Sequence, residues 1–120
     1  MRADEQMLED VVNYRGDVPR AIVLLREALG DRDEDAGQHV LTIWAARAVT
    51  MMFHAGTVSA DDCRTWARFL LGRRDVALTP GSEYEMLEFL EDWSFPDVGG
   101  PIDADSVSVW QMRFDSMEFG

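Results

Sequence analysis

The chain has 120 residues, with 23 acidic and 11 basic side chains that give a net charge of −12 at pH 7. A field of that sign repels nucleic acid and anionic membranes, so the composition argues against direct binding of either. The apolar fraction of 47% argues against disorder, and the length predicts a single domain covering residues 1–120.

The acidic residues are concentrated towards both ends of the chain. Residues 1–37 have a net charge of −5, residues 38–79 have +2, and residues 80–120 have −9, with Arg113 as their only base. Such an uneven field speeds the encounter with a basic partner. We therefore expect the C-terminal third to meet a basic protein.

The sequence also bears on the cellular compartment. Cys63 is the only cysteine, which rules out an internal disulfide and fits a reducing environment. The first ten residues are acidic and lack the apolar segment of a secretion signal. The longest apolar stretch, Val40 to Phe53, is interrupted by Arg47 and two threonines and is too short to span a bilayer. The sequence predicts a cytoplasmic protein.

Two helices are predicted in the N-terminal third. The first covers about residues 4–14 and is broken by the segment Arg15-Gly16-Asp17. Asp17 can cap the second helix, which runs to about Leu29 with Pro19 in its first turn, where a missing N–H costs nothing. The polar residues 30–37 are predicted to form a loop.

The strongest predicted helix covers residues 38–55. Apolar side chains surround most of its circumference, a pattern typical of a helix at the buried centre of a bundle. Gly56 is expected to end this helix. The sequence therefore predicts an all-α, single-domain bundle of about five helices packed around the segment 38–55.

Two further helices and a less regular final element follow. Ser59 caps a helix that closes near Gly72, residues 73–79 form an extended connector compatible with a short β-bridge, and Ser82 caps a helix ending near Trp93. The last element, residues 104–117, fits both a helical stripe and a strand alternation, and both alternatives stay open. The side chains predicted to be buried are Trp44, Phe53, Trp66, Leu70, Leu87, Leu90 and Trp93, with Met86 facing inward beside them.

An acidic ridge runs along the predicted helix that follows Pro80. It consists of Glu85, Glu88, Glu91 and Asp92, and Asp97 continues it beyond the helix. Like charges three or four residues apart destabilise a helix by about 0.2–0.5 kcal/mol per pair. Their retention without a compensating lysine indicates a use for the field, so these five residues are the predicted partner-binding site. The alternative is an ordinary solvated face.

No segment carries a strong catalytic or metal-binding signature. Asp31, Asp33 and Asp35 alternate as in the first half of a calcium-binding loop, but Thr42 stands where the bidentate glutamate is needed. His39 and His54 have no acid or cysteine at ligand spacing, so we expect structural roles for both. The sequence thus predicts no enzyme, no catalytic residue, no metal site and no cofactor.

The cysteine and several arginines are expected to serve the fold. Cys63 lies on an apolar helical face, and the aspartates before it should raise the pKa of its thiol. Arg47, inside the apolar central helix, needs a carboxylate partner in its own chain. A basic island is expected to pair with the protein's own acidic helices, and it consists of Arg64, Arg68, Arg73 and Arg74.

Residues 55–105 carry a series of short motifs. They read Gly56, Ser59-Ala60-Asp61-Asp62, Trp66-Ala67, Gly72-Arg73-Arg74-Asp75-Val76 and Gly100-Pro101-Ile102-Asp103, with an acidic helix before the last one. In this order they resemble small acidic bacterial immunity proteins of the contact-dependent growth inhibition and colicin types. The resemblance implies an all-α cytosolic inhibitor that blocks a toxin, and its motifs describe a fold rather than an active site.

Two kinds of function follow from these observations. The first is an acidic immunity protein that neutralises a basic toxin domain, above all a nuclease, by occluding its active or substrate-binding surface. A DNA-mimicking or anti-restriction inhibitor is a close variant, and an uncharacterised regulatory domain is a further alternative. The second is a small enzyme that uses some of the many carboxylates. The sequence leaves the oligomeric state open.

Overall fold

A computed structural model of the protein describes residues 3–29, 39–71, 73 and 75–119. Within these residues the chain forms an all-α domain of seven helices, to which one pair of three-residue parallel strands is added. This confirms the predicted fold class. In chain order the elements are α1 (Ala3–Val12), α2 (Val18–Leu29), β1 (His39–Leu41), α3 (Ile43–His54), α4 (Ala60–Leu70), β2 (Val76–Leu78), α5 (Glu83–Ser94), α6 (Pro96–Gly99) and α7 (Ala104–Phe119).

The break between α1 and α2 is as predicted and has a defined geometry. Tyr14 adopts a left-handed conformation with φ of 54°, and the N–H of Arg15 donates to the carbonyl of Asp10 over 2.7 Å. This pattern satisfies carbonyls that a helix end leaves open. Asp17 then caps α2, because its Oδ1 accepts from the N–H of Arg20 at 3.3 Å. The side chain of Tyr14 is buried although its backbone is strained.

The predicted central helix begins later than expected. Residues His39–Leu41 form a strand instead of the first turn of the helix. This strand pairs in parallel with Val76–Leu78, which lies in the connector 73–79, where a short β-bridge was expected. Thr42 follows the strand and caps α3, with its Oγ1 accepting from the N–H of Ala45 at 3.0 Å. The predicted start of the central helix at residue 38 was therefore wrong. The strand Val76–Leu78 supplies backbone hydrogen-bond partners that hold residues 39–41 in an extended conformation. Gly56, with φ of 81°, ends α3 as predicted.

The centre of the molecule is not α3 but the contact between α4 and α5. Trp66 of α4 is fully buried, and its Nε1–H donates to the carbonyl of Val11 at 2.8 Å. Edge-on ring contacts join Trp66 to Tyr14, Phe89 and Trp93 at centroid distances of 6.0–6.3 Å. This aromatic cluster links α1, α4 and α5 and replaces the predicted central helix as the core of the fold.

The predicted burial of individual side chains is confirmed in part. Trp66, Leu70, Leu90 and Trp93 are buried, and Phe53 is half-buried. Trp44 is 67% exposed and Leu87 is 40% exposed, so both predictions were wrong. The reason for Trp44 is that α3 packs against α7 and α4 on one side only, which leaves its outer side uncovered.

The last element is a helix, which resolves the alternative that the sequence left open. Asp103 caps α7 through its Oδ1, which accepts from the N–H of Ser106 at 2.9 Å, and Oγ of Ser106 accepts from the N–H of Asp103 at 3.0 Å. The apolar stripe of α7 is buried on α5, with Phe114 and Trp110 against Phe89 at 5.0 and 5.2 Å between ring centroids. In the described part of the chain, no helix combines the length and apolarity needed to cross a membrane.

Candidate partner-binding surface

Helix α5 carries the acidic ridge and buries one side in the core. Its buried residues include Met86, Phe89, Leu90 and Trp93. Phe89 was missed in the sequence, although its spacing of three residues after Met86 and four before Trp93 fits the same stripe. Leu87, which was expected to face inward, lies one position off that stripe. The acids of the ridge therefore occupy the flanks and the outer side of α5.

Glu88 is engaged within the chain. Its Oε2 lies 2.5 Å from Nη2 of Arg113 on α7, and the Arg113 guanidinium also lies over the ring of Trp110 at 4.1 Å from the centroid. Arg113 is the only base of residues 80–120. The ion pair thus uses one acid of the ridge to hold α7 against α5, with both side chains partly exposed.

Asp92 lies at the junction of α5, α6 and α7. Its partial burial, followed by repulsion from Glu88 and Glu91, raises the pKa of the Asp92 carboxyl, while Arg113 and a hydrogen bond with Trp110 lower it in part. Gly99 of α6 packs directly on the backbone of Asp92, and a Cβ at position 99 would overlap with the Asp92 carbonyl. Asp92 is therefore part of a tight packing site as well as part of the ridge.

The remaining acids of the ridge are more accessible. Glu91 and Asp97 are exposed, and none of the ion pairs between described residues involves either of them. Glu85 is half-buried. The five predicted site residues thus do not form one free face, since Glu88 and Asp92 turn towards α7 while Glu91 and Asp97 point to solvent.

Exposed apolar side chains accompany the two free acids. Tyr84 is 79% exposed, and Leu87, Phe95 and Val98 also lie on the outside of α5 and α6. Residues 84, 87 and 91 are spaced i, i+3 and i+7, which places them on one side of α5. We call the surface formed by Tyr84, Leu87, Glu91, Phe95, Asp97 and Val98 the α5–α6 face. It combines negative charge with apolar and aromatic area.

Two arginines of the predicted basic island hold the end of α5. Nη1 of Arg64 donates to the carbonyl of Trp93 at 3.2 Å, and Nε of Arg68 donates to the carbonyl of Ser94 at 2.7 Å. Cations stabilise the C-terminal end of a helix, where backbone carbonyls lack partners. The island thus serves the acidic helix as expected, but through its backbone carbonyls instead of its carboxylates.

Arg73, the third arginine of the basic island that the structure describes, forms a buried ion pair with an acid two positions further along the chain. Arg73 binds Asp75 in a bidentate manner, with Nε–Oδ1 and Nη2–Oδ2 distances of 2.8 and 2.7 Å. The carbonyl of Asp75 accepts from the N–H of His39, which joins the pair to β1. The Arg and Asp of the Gly-Arg-x-Asp motif thus form hydrogen bonds with each other and support the fold. Gly72 and Arg74 of the same motif lie outside the described residues.

Cys63 and the two histidines differ in their burial and in their partners. Cys63 is fully buried, and this burial, reinforced by Asp62, raises the pKa of its thiol to about 12. No acid or cysteine stands at ligand spacing from His39 in the sequence, but in the fold its Nδ1 lies 2.6 Å from Oε2 of Glu9 on α1. His54 is exposed at the end of α3. The partner of His39 comes from 30 residues away in sequence, so local spacing could not reveal it.

No group of three or more His, Cys, Asp or Glu side chains within the described ranges is arranged to hold a metal ion. The alternating acids Asp31, Asp33 and Asp35 lie outside those ranges. Arg47 has the carboxylate partner that the sequence required, with Nε 2.8 Å from Oδ1 of Asp115, although the N–H is not aligned as in a hydrogen bond.

Comparison with known proteins returned no relative: no family model, no curated protein and no solved structure matches this chain.

Proposed function

We propose that this chain is a non-catalytic acidic binding protein whose partner is a basic protein, and that the α5–α6 face makes the contact. The observation that carries the proposal is the presence of two exposed acids, Glu91 and Asp97, beside exposed apolar residues on a chain with a net charge of −12. Rim charges of this kind steer a partner of opposite charge, and aromatic side chains such as Tyr84 commonly supply binding energy.

We further propose that the partner is a bacterial toxin domain of the nuclease type. The resemblance of residues 55–105 to immunity proteins supports this choice, as does the chemistry of the partner. A nuclease needs a basic surface for its substrate, and an acidic surface can occupy that surface and exclude nucleic acid. The chain would thus act in the cytoplasm of the cell that makes the toxin or of its neighbours.

The decisive experiment is co-expression with the product of the adjacent open reading frame, followed by affinity capture and a growth-protection assay. We expect a stable complex and protection of the cell. Failure of both capture and protection would remove the toxin proposal. A complex with a protein that is not toxic would retain the basic-partner proposal and remove the immunity one.

Charge-reversal variants locate the contact within the chain. Asp97→Arg and Glu91→Arg should each slow association by about tenfold at low ionic strength and flatten its salt dependence. Glu27→Arg on α2 is the matched control, because it changes the net charge equally at another exposed acid. Equal effects of all three variants would contradict a local contact. Glu88→Arg is less informative, because it also breaks the ion pair with Arg113.

Truncation of the aromatic residue tests the apolar part of the α5–α6 face. Tyr84→Ala should raise the dissociation rate with little change in the association rate, at a cost of about 2 kcal/mol if Tyr84 is an anchor. Its side chain is mostly solvated in the free protein, so the melting temperature should not change. Unchanged dissociation in this variant would exclude Tyr84 from the contact.

A further inference from the structure

A second exposed apolar surface lies on the outer side of α3 and α7. Arg47 on α3 pairs with Asp115 on α7. Each of the two residues lies about 110° from the centre of the buried stripe of its own helix, in the same rotational sense. Two helices that rest side by side on one core can pair such residues only when they run antiparallel. Trp44 and Met51 lie three residues before and four residues after Arg47, and Met112 lies three residues before Asp115. Trp44, Met51 and Met112 are 67%, 51% and 72% exposed. We call these five residues the α3–α7 face.

The geometry of the two helices places these apolar side chains on the same side. On each helix, the exposed residues are rotated by about 40–60° from the ion-paired residue, as follows from the spacing of 3.6 residues per turn. In an antiparallel pair, these equal rotations point both sets of side chains towards the same solvent side. The Arg47–Asp115 pair therefore lies between two apolar ridges.

The charge of this surface differs from that of the rest of the molecule. Helix α3 contains no aspartate or glutamate, and its one arginine is paired with Asp115. The exposed Asp105 of α7 lies at the rim of this surface, about two turns before Met112. The core of the α3–α7 face therefore carries one positive and one negative charge on a chain whose net charge is −12. A basic partner is attracted to the acids of the α5–α6 face and gains no comparable attraction here.

We propose that the α3–α7 face is a dimer interface and that its occupant is the same face of a second copy of this chain. A two-fold contact requires a surface that is complementary to itself. Apolar side chains and a balanced pair of charges meet that requirement, because Arg47 of one copy can approach Asp115 of the other. The four helices, two from each copy, would form a four-helix arrangement. Elsewhere, two copies of so acidic a chain repel each other.

This proposal predicts an unusual salt dependence. Repulsion between two copies that each carry a charge of −12 is screened by salt, while the apolar contact is not weakened. The dimer should therefore become more stable as the ionic strength rises. A complex with a basic protein through the α5–α6 face should become weaker under the same change, so the two proposals are distinguished by the sign of one measurement.

Sedimentation equilibrium of the full chain tests the proposal directly. Protein at about 1 to 500 µM, in about 50 and 500 mM NaCl, covers weak and moderate association. We expect the average mass to rise from 13.6 kDa towards twice that value, with a dissociation constant at least about threefold lower at high salt. Trp44→Gln and Met112→Gln should each raise the dissociation constant by about tenfold.

The control and the contradicting outcomes are equally specific. Tyr84→Gln removes a comparably exposed ring from the α5–α6 face and should leave the dissociation constant unchanged. Circular dichroism should show that all three variants remain folded, since the replaced side chains are exposed. A constant mass of 13.6 kDa at every concentration would overturn the proposal. So would a dimer that Trp44→Gln does not weaken, or a monomer in which Trp44→Gln instead weakens binding of a basic partner.

Discussion

The two helical contacts rich in aromatic and apolar residues, α4 with α5 and α3 with α7, differ in what surrounds them. Trp66 on α4 is enclosed by α1 and α5, whereas Trp44 on α3 faces solvent. The sequence of α3 is the more uniformly apolar of the two, yet α3 is the less covered helix. A helix with apolar residues around its whole circumference can therefore be buried on all sides. Whether it is buried depends on how many neighbouring helices the fold packs against it.

The largest expected effect compares the two tryptophans. Trp66→Ala should lower the free energy of unfolding by about 3–5 kcal/mol, because it opens a cavity and removes three ring contacts and the hydrogen bond to the Val11 carbonyl. Trp44→Ala should change it by no more than about 0.5 kcal/mol. Urea denaturation at low protein concentration measures both. Similar losses in the two variants would contradict the different burial of the two helices.

A second pair of variants compares a buried ion pair with an exposed one. Asp75→Asn should cost about 3 kcal/mol, because it removes the negative charge from a bidentate pair whose two side chains are only about a tenth exposed. Asp115→Asn, which breaks the half-exposed pair with Arg47, should cost less than about 1 kcal/mol. The measurement is the midpoint of urea unfolding, and a larger loss for Asp115→Asn would reverse our ranking of the two sites.

A smaller effect is expected where α6 packs on α5. Gly99→Ala should cost about 1–3 kcal/mol, because the new methyl group would overlap with the Asp92 carbonyl and force the two segments apart. Val98→Ala in the same short helix is the control, since Val98 is exposed and its loss should be nearly neutral. Thermal unfolding of the two variants tests the close approach, and a neutral Gly99→Ala would show that α6 can move away without cost.

The smallest expected effect concerns the pH dependence of stability. Because the pKa of Asp92 is raised in the folded protein, the folded state binds this proton more tightly than the unfolded state does. Asp92 therefore lowers stability as the pH rises from the ordinary aspartate range through the raised pKa. Asp92→Asn should raise the melting temperature slightly at pH 7 and leave it unchanged at acidic pH below that range. A loss of stability at pH 7 would show that the attraction of the carboxylate to Arg113 and its hydrogen bond with Trp110 outweigh its burial and its repulsion by Glu88 and Glu91.

Local chemistry made much of this fold predictable. The caps at Asp17 and Ser59 and the helix end at Gly56 all follow from residues that act within a few positions of their own place in the chain. The raised pKa of Cys63 was predicted from the preceding aspartates, and Asp62 does contribute, but the largest cause is burial of the thiol in the packed fold.

Long-range pairing accounts for what the sequence did not reveal. The strand at His39–Leu41 depends on residues 76–78, and the contact between His39 and Glu9 depends on α1. Four acids of the ridge do lie on one helix, α5, as predicted. Which of them are engaged within the chain depends on Arg113, and the position of Arg113 is set by how α7 packs on α5. The sequence gives no register for such contacts, so the exposure of Trp44 and the engagement of Glu88 could not be predicted.

The solvent position of Trp44 gives this protein a built-in optical reporter. The chain has four tryptophans, and Trp66, Trp93 and Trp110 are buried. A neutral quencher such as acrylamide should therefore act first on the fluorescence of Trp44, while iodide should be kept away by the protein's negative field. Any molecule that covers α3 would shield that emission and shift it to shorter wavelength. Occupancy of this side of the protein can thus be followed without a dye, a tag or a further mutation.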